Sequence, residues 1–340
     1  MQTKTEPAHD VRVSYDDLYG VFRRALVKVG FTEPRAELCA RLFADASRDG
    51  VATHGLNRFP RFMEMIRLGV VDVHASPVRI ASAGALERWD GRRGPGNLNA
   101  HACMDVAIGL SRAHGLGCVG LANTNHWMRG GSYGWQAAAA GVIGICWTNT
   151  LANLPPWGAS KPRIGNNPLV IAVPRADGPV VLDMAMSQFS FGALESYRRR
   201  GEPLPVVGGF DAKGELTRDA AAIEATARPL PIGFWKGSGL AVMLDLVAAA
   251  LSGGRATHQI EVDPLRETQL SQVFIAVNPS SLGDSDLDSI ADRVVESLHE
   301  PSVDGSRPKY PGERALETRR RNLQHGIPVD PEIWKKVQTL

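Results

Sequence analysis

The sequence predicts a mixed α/β chain whose helical part is built from both chain ends, and three observations carry that prediction. Residues 1–75 show only helical periodicity. Residues 76–283 change to short β-rich runs alternating with helical stretches. Residues 284–340 turn helical again, so the closing helices are expected to pack back on the opening ones.

The elements follow in order. Leu18, Phe22, Ala25 and Val29 recur at helical spacing behind a Ser14/Asp17 capping pattern, and Gly30 stops the run. A second helix starts at Thr32 with Pro34 in its first turn, places Leu38, Leu42 and Ala46 on one face, and closes at Gly50. A third carries Phe59, Phe62, Met63 and Ile66 before Gly69. The runs CVGLAN, VIGICWTN, LVIAVPR, VVLDMA and SQVFIAVNP then read as strands. Helices are expected between them at 100–114, 132–140, 191–200 and 237–251, the last carrying Asp245 on an apolar segment. Past Asp284, Leu287, Ile290, Val294 and Leu298 mark a helical face, followed by the loop RPKYPGER and two more helices.

Composition narrows the function. The chain has 340 residues, 44% hydrophobic and 22% charged, enough for two core-forming units. Lys plus Arg is 38 and Asp plus Glu is 36, so a net charge of +2 gives no broad reason to hold nucleic acid or an anionic membrane. The arginine runs 198–200 and 319–321 read as solvated cations near helix ends. Cys39, Cys103, Cys118 and Cys146 stand singly, without zinc-type or disulfide spacing, which fits a reducing compartment. The apolar stretch 137–147 is about half a bilayer span, and MQTKTEPAHD has no apolar signal core. A cytoplasmic protein acting on small molecules is expected, with neither membrane nor nucleic acid as partner.

One formal GxGxxG occurs, at 115–120 in HGLGCVGLAN. A dinucleotide fingerprint needs that motif to follow a strand and open a helix. Here Gly115 ends a helix and Gly120 lies inside a β run, so no helix start aims its amides at a pyrophosphate. Three other glycine segments remain, GPGNLN, GGSYG and WKGSG. The last precedes a long apolar helix and places Lys236 beside its start, which is either an anion site or a simple helix beginning.

Two histidines have the setting chemistry needs. His54 lies in THGLNRF between two helices, with Arg58 one turn on. An imidazole there can exchange a proton with a carbinol oxygen, and an arginine can grip a carboxylate with two parallel donors; the alternative is a capping or packing histidine. His126 follows a strand end in NTNHWMRGGSYGW, with Asn123, Asn125, Trp127 and Arg129 around it. Loops at strand ends are where α/β proteins carry their chemistry. Asp183, inside the apolar run VVLDMAMS, needs a partner and either orients a His or Lys or receives backbone amides. No HxxxH pair is present, and no catalytic metal is expected.

The segments THGLNRFPRF, GNLNAHACMDVAIGLSRAHG, NHWMRGGSYGWQAA, GICWTNT, PPWGASKPRIGNNPL, LDMAMSQFSFG, GFWKGSGLAVMLDL and YPGER, in that order, resemble the malate/L-lactate dehydrogenase family, nicotinamide enzymes that lack a Rossmann fold. The resemblance implies a homodimer whose sheet domain binds NAD(H), NADP being open, with substrate between it and the smaller helical domain. It places cofactor contacts on Pro179, Val180, Val181, Leu182, Asp183, Met184 and Ala185, on Trp235 and Lys236, and on Gly312, Glu313 and Arg314. One branch of the family gives the proton-donor role to the position of His54, another to that of His126. In the hydride-transfer reading of a 2-keto acid, Arg58 holds the carboxylate, and Asn125, His126 and Arg129 contact the carboxylate or hydroxyls. A malate, lactate or imino-acid reductase, a ligand-binding relative without catalysis, and a hydrolase using His126 and Asp183 are the alternatives. GNNP departs from the family's usual GTNP, so Asn166 replaces a threonine and a hydroxyl contact there is not carried over.

Overall fold

The computed structural model describes residues 11–283, 286–300 and 307–340. Helix α1 (Tyr15–Lys28) begins where the Ser14 hydroxyl accepts the Asp17 amide, as the capping pattern predicts. Helix α2 spans Glu33–Arg48, and after a single 3-10 turn at Ala52–His54 helix α3 runs from Phe59 to Arg67. The buried face of α2 is centred on Cys39, Phe43 and Ala46, one residue on from the expected Leu38 and Leu42, which are only half-buried. Phe22, Phe43, Phe59 and Phe62 interlock, with Phe22 and Phe59 ring centres 4.4 Å apart. Both chain ends meet here: β1 (Arg12–Val13) pairs antiparallel with β11 (Ile327–Pro328), and Val329 and, from helix α11 (Pro331–Gln338), Val337 enter the same core.

The sheet is built from β2 (Val78–Ala83), β3 (Leu86–Asp90), β4 (Leu116–Asn125), β5 (Ile143–Thr148), β6 (Leu169–Val173), β7 (Val180–Met184) and β10 (Thr268–Val277). Its order is β2-β3-β4-β10-β5-β6-β7, and only β3 and β4 run parallel. A sheet with one parallel pair has no place for the repeated βαβ crossovers of a Rossmann domain. Helices α4 (Gly96–His114) and α5 (Gly131–Ala139) cover one face and α8 (Trp235–Ser252) the other. The two-residue period shows on β10, where Phe274 joins the α4/α5 core and Val273 the α8 core. Between β7 and α8 lies a small unit of α6 (Phe191–Arg200), β8 (Gly209–Phe210), β9 (Leu216–Thr217) and α7 (Ala220–Thr226).

The GxGxxG glycines serve packing. Gly115 is the left-handed C-cap of α4 at φ 80°, and a side chain on Gly120 would lie 2.7 Å from the Leu251 carbonyl at the end of α8. Gly96 of GPGNLN sits inside the first turn of α4, where a Cβ would fall 2.2 Å from the Asn125 carbonyl oxygen. Helix α4 therefore starts before the expected residue 100, and α8 starts before 237.

Of the helices beyond residue 284, α10 (Glu313–His325) packs on α2 and α11 on α1 and α3. Helix α9 (Leu287–Leu298) instead joins the sheet domain, since Asp292 binds Arg175 at 2.5 Å and Asp288 accepts the Ala176 amide. Its buried residues are Ala291 and Val295, whereas the expected face of Ile290, Val294 and Leu298 is exposed. Among the described residues one helix, α8, is long and apolar enough to cross a membrane; its inner side lies on the sheet, and Asp245 is bound by the Asn149 amide and the Thr257 backbone.

Candidate active site

The loop from α2 to α3 is folded so tightly that His54 has little freedom. Ser47 Oγ accepts the Leu56 amide at 2.9 Å, and Gly55 must be glycine because a Cβ there would lie 2.1 Å from that hydroxyl oxygen. His126 is set from the other domain, just past the end of β4, where the β4–β10 pairing is irregular between Thr268 and Gln272. Asn123, Met128 and Gln269 around it hold left-handed backbone, Met128 at φ 65° with its side chain in the helical-domain core. Such strain is kept only where surrounding packing over-determines it.

The two imidazoles stack with centres 5.8 Å apart and planes 19° from parallel. Both are half-buried, as is Arg58. Burial, followed by the charges of Arg58 and Arg129, lowers the His54 pKa to about 4. Burial, then Arg58, His54 and Arg61, lowers that of His126. Arg58, at the start of α3, is brought down to about 10 by burial and Arg61, against the pull of Glu267. That glutamate is buried, lies 3.6 Å from Arg58 and accepts the Leu151 amide, while Arg61 donates to the Pro264 carbonyl.

The two rings differ in one respect. His126 Nδ1 lies 3.0 Å from the Met128 backbone nitrogen. An N–H can only donate, so Nδ1 is the acceptor and the ring's proton sits on Nε2. His54 Nδ1 instead lies 3.1 Å from Thr53 Oγ1, a hydroxyl that donates or accepts as required. His54 can therefore take a second proton without losing a bond, and His126 cannot.

Two of the expected substrate contacts are committed elsewhere. Asn125 gives its amide to the Arg93 and Gly94 carbonyls at 2.7 and 2.9 Å, bracing the loop before α4. Arg129 is 6% exposed and donates to Asp49 Oδ2 at 2.6 Å. Asp49, absent from the sequence reading, also binds Arg48 at 2.8 Å and takes both prongs of Arg319. Burial works against its charge, yet Arg319, Arg129 and Arg48 together hold its carboxyl well below the usual range. Arg319 is thus no solvated surface cation: it lies mid-helix, paired, with its guanidinium 4.5 Å from the centre of the Trp135 ring. The 198–200 run does sit at a helix end, each arginine paired with a glutamate.

Two of the three expected cofactor segments come together. The Val181 amide donates to the Pro311 carbonyl at 2.8 Å, and Gly312, at φ 97°, lies flat on β7 where a Cβ would approach the Val181 nitrogen to 3.1 Å. Pro179, Val180, Leu182, Met184 and Ala185 are half-buried, Val181 is buried, and Asp183 is open to solvent on one side, although protein crowds it. That crowding raises its pKa, against Arg129 and the Gly131 amide, which it accepts at 2.8 Å. Glu313 is turned to the Tyr310 amide and His299, and Arg314 is exposed. Trp235, 66% exposed, and Lys236 stand at the start of α8, three and four residues past Ile232, whose amide donates to the Met186 carbonyl just beyond β7. An accessible strand bearing a carboxylate, with a cationic helix start nearby, suits a cofactor of hydroxyls and phosphates. Asn166 binds Thr150 and Asn153. Among the described residues no group of three His, Cys, Asp or Glu is placed to hold a metal.

This fold is that of a dehydrogenase: the chain belongs to the malate/L-lactate dehydrogenase family, whose model matches residues 13–338. It is an oxidoreductase with a nicotinamide cofactor acting on a small molecule. Among its relatives, 2,3-diketo-L-gulonate reductase of Salmonella paratyphi A is 44% identical over 333 residues, covering 97% of this chain and all of the relative. That of Shigella boydii serotype 4 is 44% identical over 335 residues, again across the whole relative. Similar solved structures include sulfolactate dehydrogenase of Methanocaldococcus jannaschii (TM-score 0.89, 25% identity, covering 96% of this chain and 95% of that one). Delta1-piperideine-2-carboxylate reductase of Pseudomonas syringae has a TM-score of 0.86 and 28% identity, covering 97% and 99%.

Proposed function

We propose that the protein reduces the ketone of a 2-keto acid with NADH, and that its substrate is 2,3-diketo-L-gulonate, giving 3-keto-L-gulonate. The substrate class rests on the relatives' name. The nicotinamide, when bound along β7 and the Gly312 loop, supplies the hydride. Every other task falls to side chains of the chain. Arg58 grips the substrate carboxylate, with Glu267 behind it holding the guanidinium in place. His126 donates its Nε2 proton as a hydrogen bond to the carbonyl oxygen and keeps that proton, because Nδ1 is occupied by the Met128 amide. His54 protonates the oxygen as hydride arrives. A carboxylate on Arg58 offsets that arginine's charge, one of the causes that lower His54, and so favours the imidazolium when a donor is needed.

The observation that carries the reading is the unequal pair of stacked imidazoles beside a half-buried arginine. The protein is read as a homodimer in the cytoplasm. The dimer is supported by the outward face of α8, where Met243 and Leu246 are each 55% exposed, and the compartment by four unpaired cysteines. The test is a panel of 2,3-diketo-L-gulonate, pyruvate, oxaloacetate and a cyclic imino acid, each with NADH and with NADPH, followed at 340 nm. Highest kcat/KM on the diketo acid with NADH is expected. Preference for the imino acid makes this an imino-acid reductase, and no turnover with any of the panel, despite quenching of protein fluorescence by NADH, makes it a binding protein.

A further inference from the structure

The two imidazoles come from different domains, and alongside the Met128 side chain in the helical core and the Asn97–Cys39 pair, one buried carboxylate ties the loops that carry them into one register. Asp49 ends α2, five residues before His54; its side chain is 1% exposed. Arg129 follows His126 by three residues on the other domain. Nε of Arg129 is buried with no acceptor, which leaves Asp49 as its one hydrogen-bonded partner among the described side chains. Arg319 closes the cluster from α10, the helix whose first residues carry the Gly312 loop. Gly50 lies against the same helix, where a Cβ would meet Thr318 at 2.9 Å.

We propose that Asp49 and Arg129 form a positioning staple for catalysis: one ion pair sets the loop of His54 against the loop of His126, and Arg319 locks it from the C-terminal helix. The inference rests on the keto-acid reductase reading for its catalytic consequence, and on geometry alone for the staple. It reassigns Arg129 from substrate contact to alignment, and gives the otherwise unexplained buried aspartate a role. The charged and titratable groups facing His54 are Arg58 from α3, and Arg129 and His126 from the β4–α5 loop. Thr53, its neutral neighbour, is itself packed against Gly192 at the start of α6.

The test uses the full-length chain with Asp49→Asn, Arg129→Met and the double variant, each checked for folding by thermal unfolding. For Asp49→Asn, kcat should fall roughly tenfold to a hundredfold while the NADH Kd stays within about threefold, the signature of misalignment without loss of binding. Proton NMR of the His54 ring in the free protein supplies a readout that needs no turnover. Arg129→Met removes a cation and should raise the His54 titration by roughly half a pH unit or more. Asp49→Asn leaves that cation without its counterion and should lower it, and the double variant should return it towards wild type without restoring kcat. Ring-to-ring contacts between His54 and His126 should weaken in all three. Unchanged contacts and an unmoved titration in the variants overturn the staple, as does wild-type kcat in Asp49→Asn. Should Asp49→Asn fail to fold, Arg129→Met, which leaves Asp49 to Arg48 and Arg319, decides by the same two signals. A wild-type protein inert to every keto acid refutes the reductase reading instead, and the NMR result then judges the staple alone.

Discussion

Replacing His126 by glutamine and by asparagine separates a hydrogen-bond donor from a proton donor. The asparagine Oδ1 falls near the position of Nδ1 and can still accept the Met128 amide, which is 3.0 Å from the ring nitrogen. It has nothing to offer where Nε2 was. Loss of one donor to a developing oxyanion costs about 2.7–4 kcal/mol, or roughly 10²–10³ in kcat. Glutamine does the reverse: its amide reaches the Nε2 position and donates, but the Met128 amide is left unpaired. An unsatisfied buried N–H costs about 1–3 kcal/mol. The Met128 amide cannot swing to another partner, since its residue is held at φ 65° with the side chain in the helical core. His126→Gln should therefore keep kcat within about tenfold and lose about 2–6 °C in Tm, whereas His126→Asn should keep Tm and lose activity. Steady-state kinetics at 340 nm and differential scanning calorimetry on both variants provide the comparison. Equal inactivity of the two, with the pH dependence of kcat abolished in His126→Gln, would show that this ring gives up its proton and refute the tautomer argument.

Four further outcomes follow from the same geometry. His54→Gln should lower kcat by about 10²–10⁴ while fluorescence quenching by NADH persists; retained turnover would remove His54 as the acid. Arg58→Lys keeps the charge but not the planar fork, so KM for the keto acid should rise by at least about tenfold, with NADH binding unaffected in titration. Gly55→Ala places a methyl 2.1 Å from Ser47 Oγ and 2.9 Å from the Phe43 carbonyl oxygen, so backbone must move, and both Tm and kcat should fall together. Stability should also depend on pH through His54. Its folded pKa, lowered to about 4, lies below the ordinary histidine value of 6.5, so the unfolded chain binds the proton first. Stability then declines as pH drops through that window, and His54→Gln should flatten the decline in Tm between pH 6.5 and 4.

Much of this molecule was readable along the chain. The cap at Ser14, the runs of α1 and α3 and five of the sheet strands follow from short-range periods and end signals, which act over a few residues and leave their mark in sequence. The order of elements around 115–120 was enough to reject a Rossmann loop, and His54, His126 and Arg58 drew notice as titratable or cationic loop residues beside helix and strand ends, with a capping or packing role left open for His54. The β2–β3 hairpin was missed because its outer strand is exposed on both faces and so shows no alternation.

What the linear text could not reveal were partnerships between distant positions. Asp49 meets Arg129 across 80 residues and Arg319 across 270. Neither distance carries a period, so the acid drew no notice and Arg319 passed for a surface charge. The proton's place on His126 likewise depends on which neighbour points at each ring nitrogen, a matter of backbone direction at Met128. Composition and pattern therefore settled the class of fold and the chemical groups available. Three-dimensional packing alone decided which of those groups stand side by side and which are bound to one another, because burial forces every charge to find its partner wherever the chain brings one.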